Sequence, residues 1–185
     1  YEGATVLDRE ALLKDADMVL SIHPLPEADL AKLQPETVVI AEFKPFADTA
    51  IADRLRSHKL KAFSLDMIPR TTLAQSMDVL SSMASIAGYK AVLEASRLLP
   101  RYFPMMITAA GSIRPATVLV LGAGVAGLQA IATARRLGAQ VEAFDTRSAA
   151  KEEVKSLGAK FIEIEGAKED TGAGDYAVEQ SEEFL

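Results

Sequence analysis

The chain has 185 residues, 49% hydrophobic and 25% charged, a balance that supports a packed core in one large or two small domains. Its net charge of −6 argues against nucleic acid or an anionic membrane surface as the main partner, since both reward clustered Lys and Arg. There is no cysteine, which excludes disulfides and thiolate metal sites and fits a reducing compartment.

The opening "YEGATVLDRE" lacks a signal peptide's charged start and apolar centre, and reads like the end of one structural unit and the start of the next. The chain is expected to belong to something longer. "DREALLKDA" (8–16) predicts a helix capped by Asp8, with Leu12 and Leu13 on one face. "DMVLSIH" (17–23) predicts a strand ended by Pro24 and Pro26, followed by a short helix over 27–34. "TVVIAEF" (37–43) is β-branched and reads as a strand. A helix over 48–58 with Asp48 as its cap and a strand over 61–66 follow. Strands separated by helices imply βαβ crossovers and a parallel sheet.

Residues 72–99 predict one long helix, whose Leu80, Ala84, Ala87, Ala91, Ala95 and Leu98 make a small apolar stripe. Pro100 and Pro104 end it, and 105–116 reads as an irregular connector. A second series then begins. "TVLVLG" (117–122) is expected as a buried strand, 125–138 as a helix closed by Gly138, and 140–145 as a strand. A helix over 149–158 and a strand over 160–165 come next. Residues 166–175 read as a Gly-rich loop and 177–185 as the start of a helix. The expected fold is α/β, with two doubly wound parallel-sheet (Rossmann-like) domains joined by a long helix, both incomplete in this chain. The expected boundaries are 1–71, 72–104 and 105–185. No apolar run approaches the ~20 residues of a membrane span, so no direct membrane insertion of this chain is expected.

The most informative motif is "VLVLGAGVAGLQAIATARRLGAQVEAFD". Gly122, Gly124 and Gly127 hold the G-x-G-x-x-G spacing directly after a strand and at the opening of a helix. The first permits a tight turn, the second lets a pyrophosphate approach the backbone, and the third lets helix and strand pack closely. Val125 and Ala126 open the helix, whose free N–H groups and positive dipole end suit phosphate. Asp145, at the end of the next strand, is placed to accept hydrogen bonds from the adenosine ribose hydroxyls. Thr146 and Arg147 complete the expected cofactor-binding set. The plain alternative is a tight strand-to-helix turn that binds nothing. A carboxylate at 145 repels a 2′-phosphate and favours NAD over NADP, while Arg147 argues the other way.

Other polar candidates carry less. His23 ends an apolar strand and reads first as an edge residue; Lys44 at the next strand end reads as a solvated lysine. Met67, Met77 and Met83 read as core or lining residues. Nothing has Ser-His-Asp logic or a carboxylate–histidine grouping suited to a metal.

"IPRTTLAQSMDVLSSMASIAGYKAVLEA" followed by "GAGVAGLQAIATARRLGAQVEAFDTR" resembles the NAD(H)-binding domain of proton-translocating NAD(P) transhydrogenase. The "PR…AQSMD" element is the specific feature. The resemblance implies that the chain binds NAD(H) and passes hydride directly to NADP⁺ held on a partner NADP-binding domain or beta subunit, coupled to a membrane domain absent here. It implies a nicotinamide site of Arg70, Gln75 and Asp78, with Arg70 and Asp78 holding the ring and Gln75 facing the partner's NADP(H). Ser81 matches a serine near the carboxamide, and Tyr89 falls at a tyrosine position of the bridging helix. A homodimer is implied too, peripheral on the cytoplasmic side of the inner or plasma membrane, or in the mitochondrial matrix. Alanine dehydrogenase is related, but its substrate lysine and proton-shuttling histidine have no counterparts in "MVLSIH" or in Lys44-Pro45-Phe46. Leu73 stands where the family often has a basic residue. An alanine-type dehydrogenase and a non-catalytic NAD-binding module are the alternatives.

Overall fold

The computed structural model describes residues 2–69 and 71–164, and within them the alternation of helix and strand builds two parallel sheets, one in each of two units, Tyr1–Leu80 and Ser81–Leu185. The expected strand end at 165, loop at 166–175 and helix at 177–185 lie outside the described residues.

In the first unit the Asp8 carboxylate accepts the Glu10 and Ala11 amides at 2.8 and 3.4 Å and starts α1 (Arg9–Asp15). There follow β1 (Met18–Leu20), α2 (Glu27–Leu30), β2 (Val38–Ala41), α3 (Ile51–Ser57) and β3 (Lys61–Ser64). The sheet order is β1-β2-β3, all parallel, with Val39 paired to Val19 on one side and Ala62 on the other. The β-branched run therefore takes the central strand, where Val39 and Ala41 are fully buried. Leu13, Leu30, Ile51 and Leu55 from the three helices close over Val19, Val39, Ala41 and Phe43. Residues of opposite phase, Met18, Leu20 and Phe63, are exposed. Buried Asp29 receives Arg9 through Nε and Nη2 at 3.0 and 2.7 Å, which ties α1 to α2.

The cap assigned to Asp48 is corrected. The amides of Ala47 and Asp48 bond back to the Lys44 carbonyl in a turn of their own, so α3 starts only at Ile51 with Ala50 before it. Asp48 instead accepts the Ala50 amide at 3.1 Å and pairs with Arg54.

The long helix is also shorter than its periodicity predicts. α4 is Val79–Leu98, and the preceding stretch folds as a turn and a 3₁₀ turn, Gln75–Met77. Its bonds are of the i to i−3 kind, Ala74 to Thr71 at 3.1 Å and Met77 to Ala74 at 2.9 Å, and the Thr71 hydroxyl also accepts the Ala74 amide. A threonine competing for backbone donors favours such a turn over a helix. The predicted apolar stripe does not form the buried face: Leu80, Ala87, Ala91, Ala95 and Leu98 are exposed, while Gly88 and Val92 are buried. Met67, Met77 and Met83 are exposed and belong to neither core.

In the second unit, 105–116 is no irregular connector but an antiparallel hairpin, β4 (Met106–Thr108) and β5 (Gly111–Ile113). Thr108 Oγ1 accepts the Ala110 amide and donates to the Gly111 carbonyl, and Gly111 takes a φ of +130°. The hairpin is solvated, which explains its lack of alternating hydrophobicity. Then come β6 (Thr117–Leu121), α5 (Val125–Arg136), β7 (Gln140–Phe144), α6 (Ala150–Ser156) and β8 (Lys160–Phe161), with parallel order β6-β7-β8. Ile131, Val154, Val141, Ala143, Val92 and Phe103 share one core. The expected burial of the whole first strand is corrected. Val118 and Val120 pack on that core, but Leu119 and Leu121 are 55% and 74% exposed.

Gly88 fixes how α4 meets α5. A Cβ there would stand 2.0 Å from the Ala126 carbonyl oxygen and 2.8 Å from its carbon, and neither backbone atom can step aside. Gly88→Ala gains about 1 kcal/mol of helix propensity but incurs overpacking of about 3 kcal/mol or more. A net loss of about 2 kcal/mol is expected in urea unfolding; a variant as stable as the parent contradicts the contact.

Candidate functional site

β6 runs into the glycine turn, and each glycine answers to a different constraint. Gly122 has a φ of +91°, a left-handed conformation that side chains rarely adopt, and its amide donates to the Phe144 carbonyl at 2.8 Å. Gly124 caps α5 without a side chain, and an added Cβ would meet nothing within 4 Å. Leu128 is the residue whose amide bonds back to the Gly124 carbonyl, at 2.8 Å, so the earlier amides of Val125, Ala126 and Gly127 are the orphan donors of the helix start. At Gly127 a Cβ would stand 1.8 Å from the Gly122 carbonyl oxygen, so helix and turn touch through backbone alone. Free donors beside open space at a helix start suit a phosphate or pyrophosphate.

Asp145 follows the last residue of β7 and is buried. One carboxylate oxygen accepts the Ala123 amide at 2.6 Å and the Arg147 Nη2 at 3.0 Å. The other accepts the Arg147 amide at 2.8 Å and its Nε at 2.9 Å. Burial on its own pushes this carboxyl up, but the Arg147 guanidinium and the two amides outweigh it and hold the group below the ordinary value of 3.8. Thr146 Oγ1 is buried without a hydrogen-bond partner. A recess of about 240 Å³ opens beside these residues, its wall including Asp145, Thr146, Ser148, Phe161 and the ion-paired Lys151 and Glu163.

The second unit thus gathers Gly122, Gly124, Val125, Ala126, Gly127, Asp145, Thr146 and Arg147 at the ends of β6 and β7. The first unit holds Gln75, exposed on its 3₁₀ turn, and Asp78, half-buried where that turn ends. Ser81, half-buried on α4, is the first residue of the second unit, and Tyr89 further along α4 is exposed. Arg70 lies outside the described residues. His23 is exposed, as is Lys44, whose amide donates to Asp66 at 3.3 Å. A cavity of about 540 Å³ between α3 and β3, walled by Phe43, Ile51, Leu55 and Ala62, contains none of the expected site residues. Among the described residues no three His, Asp or Glu side chains are grouped to hold a metal, and no helix is long and apolar enough to cross a membrane.

Residues 1–87 match the family model for the alanine dehydrogenase/PNT N-terminal domain, and residues 91–183 match its C-terminal domain. The chain belongs to the alanine dehydrogenase/PNT family. Within it, the chain is 44% identical over 190 aligned residues to an NAD(P) transhydrogenase subunit alpha chain of Rhodospirillum rubrum, covering 98% of this chain and 50% of that one. Among solved structures it is similar to a transhydrogenase from Sinorhizobium meliloti, with a TM-score of 0.79 and 49% identity over 83% of this chain and 46% of that one. It is also similar to an L-alanine dehydrogenase, with a TM-score of 0.68 and 25% identity over 86% of this chain and 45% of that one. The chain spans about half the length of these relatives.

For this family member, two site features escape a reading of the motif alone. The Ala123 amide, inside the glycine turn, is held by Asp145, and Gly88 of α4 abuts Ala126 of the helix start. The only signal for the second is a glycine within a helical pattern, which marks a close approach.

Asp145→Asn should lose about 1–3 kcal/mol at neutral pH, because an amide cannot receive four donors as the carboxylate does. A carboxyl lowered by folding lends stability that is complete above its unfolded value and drains away as pH falls toward its folded value. The gap between parent and variant in urea unfolding should therefore close as pH drops below about 3.8. A gap independent of pH contradicts the assignment.

Proposed function

We propose that the chain is the NAD(H)-binding component of a proton-translocating transhydrogenase, in which hydride passes directly from NADH to NADP⁺ held on a partner domain. The observation that carries this is the joint presence, in a chain 44% identical to a transhydrogenase alpha subunit, of the open glycine turn with its buried acid and of the "PR…AQSMD" element. The amides of Val125, Ala126 and Gly127 receive the pyrophosphate, Gly124 giving it room. Asp145 takes the adenosine ribose hydroxyls, and its charge disfavours a 2′-phosphate, so the cofactor is NAD(H) rather than NADP(H). Ser81 binds the carboxamide, and Arg70 and Asp78 orient the nicotinamide ring. Bound nicotinamide supplies the hydride chemistry itself, so the protein needs no nucleophile and no acid or base. Its task is to position two rings and exclude water.

Gln75 is the residue assigned to the partner side, and its exposure on a short turn supports that role. The partners are the NADP-binding beta subunit or domain and the membrane domain, with a second copy of this chain in a homodimer. The complex sits at the cytoplasmic face of the inner or plasma membrane, or at the matrix face in mitochondria. The alanine-dehydrogenase reading has less support: β1 carries no lysine, and Lys44-Pro45-Phe46 offers no histidine after β2.

The test mixes the full protein with NADH, an acetylpyridine analogue of NADP⁺ and the isolated NADP-binding partner, without pyruvate or ammonia. Direct hydride exchange is expected; activity confined to mixtures with pyruvate and ammonia reverts the reading to an amino-acid dehydrogenase. Gln75→Asn should slow exchange about tenfold or more while NADH affinity stays within about twofold, the mark of a group that acts on geometry between the rings. A large loss of NADH binding instead removes Gln75 from that role.

A further inference from the structure

We propose that Arg147 is a displaceable placeholder, whose guanidinium occupies the positions on Asp145 that the two adenosine ribose hydroxyls take when the nucleotide binds. A carboxylate offers about four lone-pair positions. All are filled here: Ala123 amide and Nη2 on one oxygen, Arg147 amide and Nε on the other. A ribose diol therefore cannot be added to Asp145; it has to replace something.

Two of the four donors are backbone amides of the turns that build the site, and they cannot leave without unfolding it. The other two belong to one side chain, which rotates about its own bonds. Nε and Nη2 are neighbouring donors, one to each oxygen, and vicinal 2′- and 3′-hydroxyls are neighbouring donors as well. The exchange is thus one pair for another. An exit is open too: the Arg147 side chain is 25% exposed while that of Asp145 is 6% exposed, so the guanidinium lies on the solvent side of the acid. Its removal leaves Asp145 still fixed by Ala123 and the Arg147 amide, so orientation of the acid does not require the guanidinium.

A site that is competent only while Arg147 is swung away binds more weakly by the competent fraction. Removing the guanidinium should then tighten binding, whereas a residue that merely supported the site would weaken it when lost. The inference rests on the nucleotide-site reading above, and the experiment separates the two. NADH binding to the full protein is followed by its fluorescence, and 5′-AMP and 2′,3′-dideoxy-AMP are titrated as competitors. For Arg147→Met, NADH and 5′-AMP should bind about tenfold tighter than to the parent, with dideoxy-AMP unchanged, because it brings no hydroxyls to compete. Arg147→Lys, which keeps the charge but not the paired donors, should shift 5′-AMP in the same direction, and it carries the test if the methionine variant does not fold. Equal or weaker 5′-AMP binding in both variants overturns the placeholder, as does a gain shared equally by dideoxy-AMP. A parent protein that binds neither NADH nor 5′-AMP overturns the nucleotide reading itself.

Discussion

The hydrogen bond from the Ala123 amide to the buried Asp145 carboxylate is the constraint on which the second unit's site depends. It joins the turn after β6 to the end of β7, two points separated by the whole of α5. With the Gly122 amide on the Phe144 carbonyl, it holds the start of α5 over the ends of both strands. A charge at this depth persists because donors surround it; unpaired, its desolvation would raise its pKa and empty it. The turn is therefore shaped by an acid whose other oxygen faces a rotatable side chain, so shape and ligand chemistry meet in one group.

Much of this is legible in the sequence, for local reasons. The β-branched run 37–43 lands in the centre of its sheet, Asp8 caps its helix, and Gly138 and Gly158 close theirs with positive φ. The glycine turn is equally readable, because each glycine satisfies a constraint of its own: a left-handed φ, open space, and a backbone approach. What stays hidden depends on tertiary choice. A stripe of Ala and Leu in α4 looks like a core face, yet the buried line runs through Gly88 and Val92, because backbone contact with Ala126 rewards the absence of a side chain more than the presence of a methyl. Thr71 draws the backbone of 71–77 into 3₁₀ turns, which periodicity alone cannot tell from a helix.

For the acid, the motif tells which residue stands there but not who holds it. Arg147 two positions on reads as an argument about phosphate specificity. Its geometry makes it instead the partner of Asp145. The spacing of two residues leaves either outcome open, since an arginine side chain reaches back as easily as outward.

The two sheets share one more feature, whose consequence is colloidal. Met18, Leu20 and Phe63 on one sheet, and Leu119 and Leu121 on the other, form apolar faces open to solvent among the described residues. Such faces are adhesive toward any apolar surface of matching shape. What opposes their adhesion between copies is the charge of −6 carried by each chain, a repulsion that reaches roughly 10 Å at 0.1 M salt and shrinks as salt rises. Ionic strength therefore sets the balance between attraction and repulsion for this chain, with added salt tipping it toward self-association.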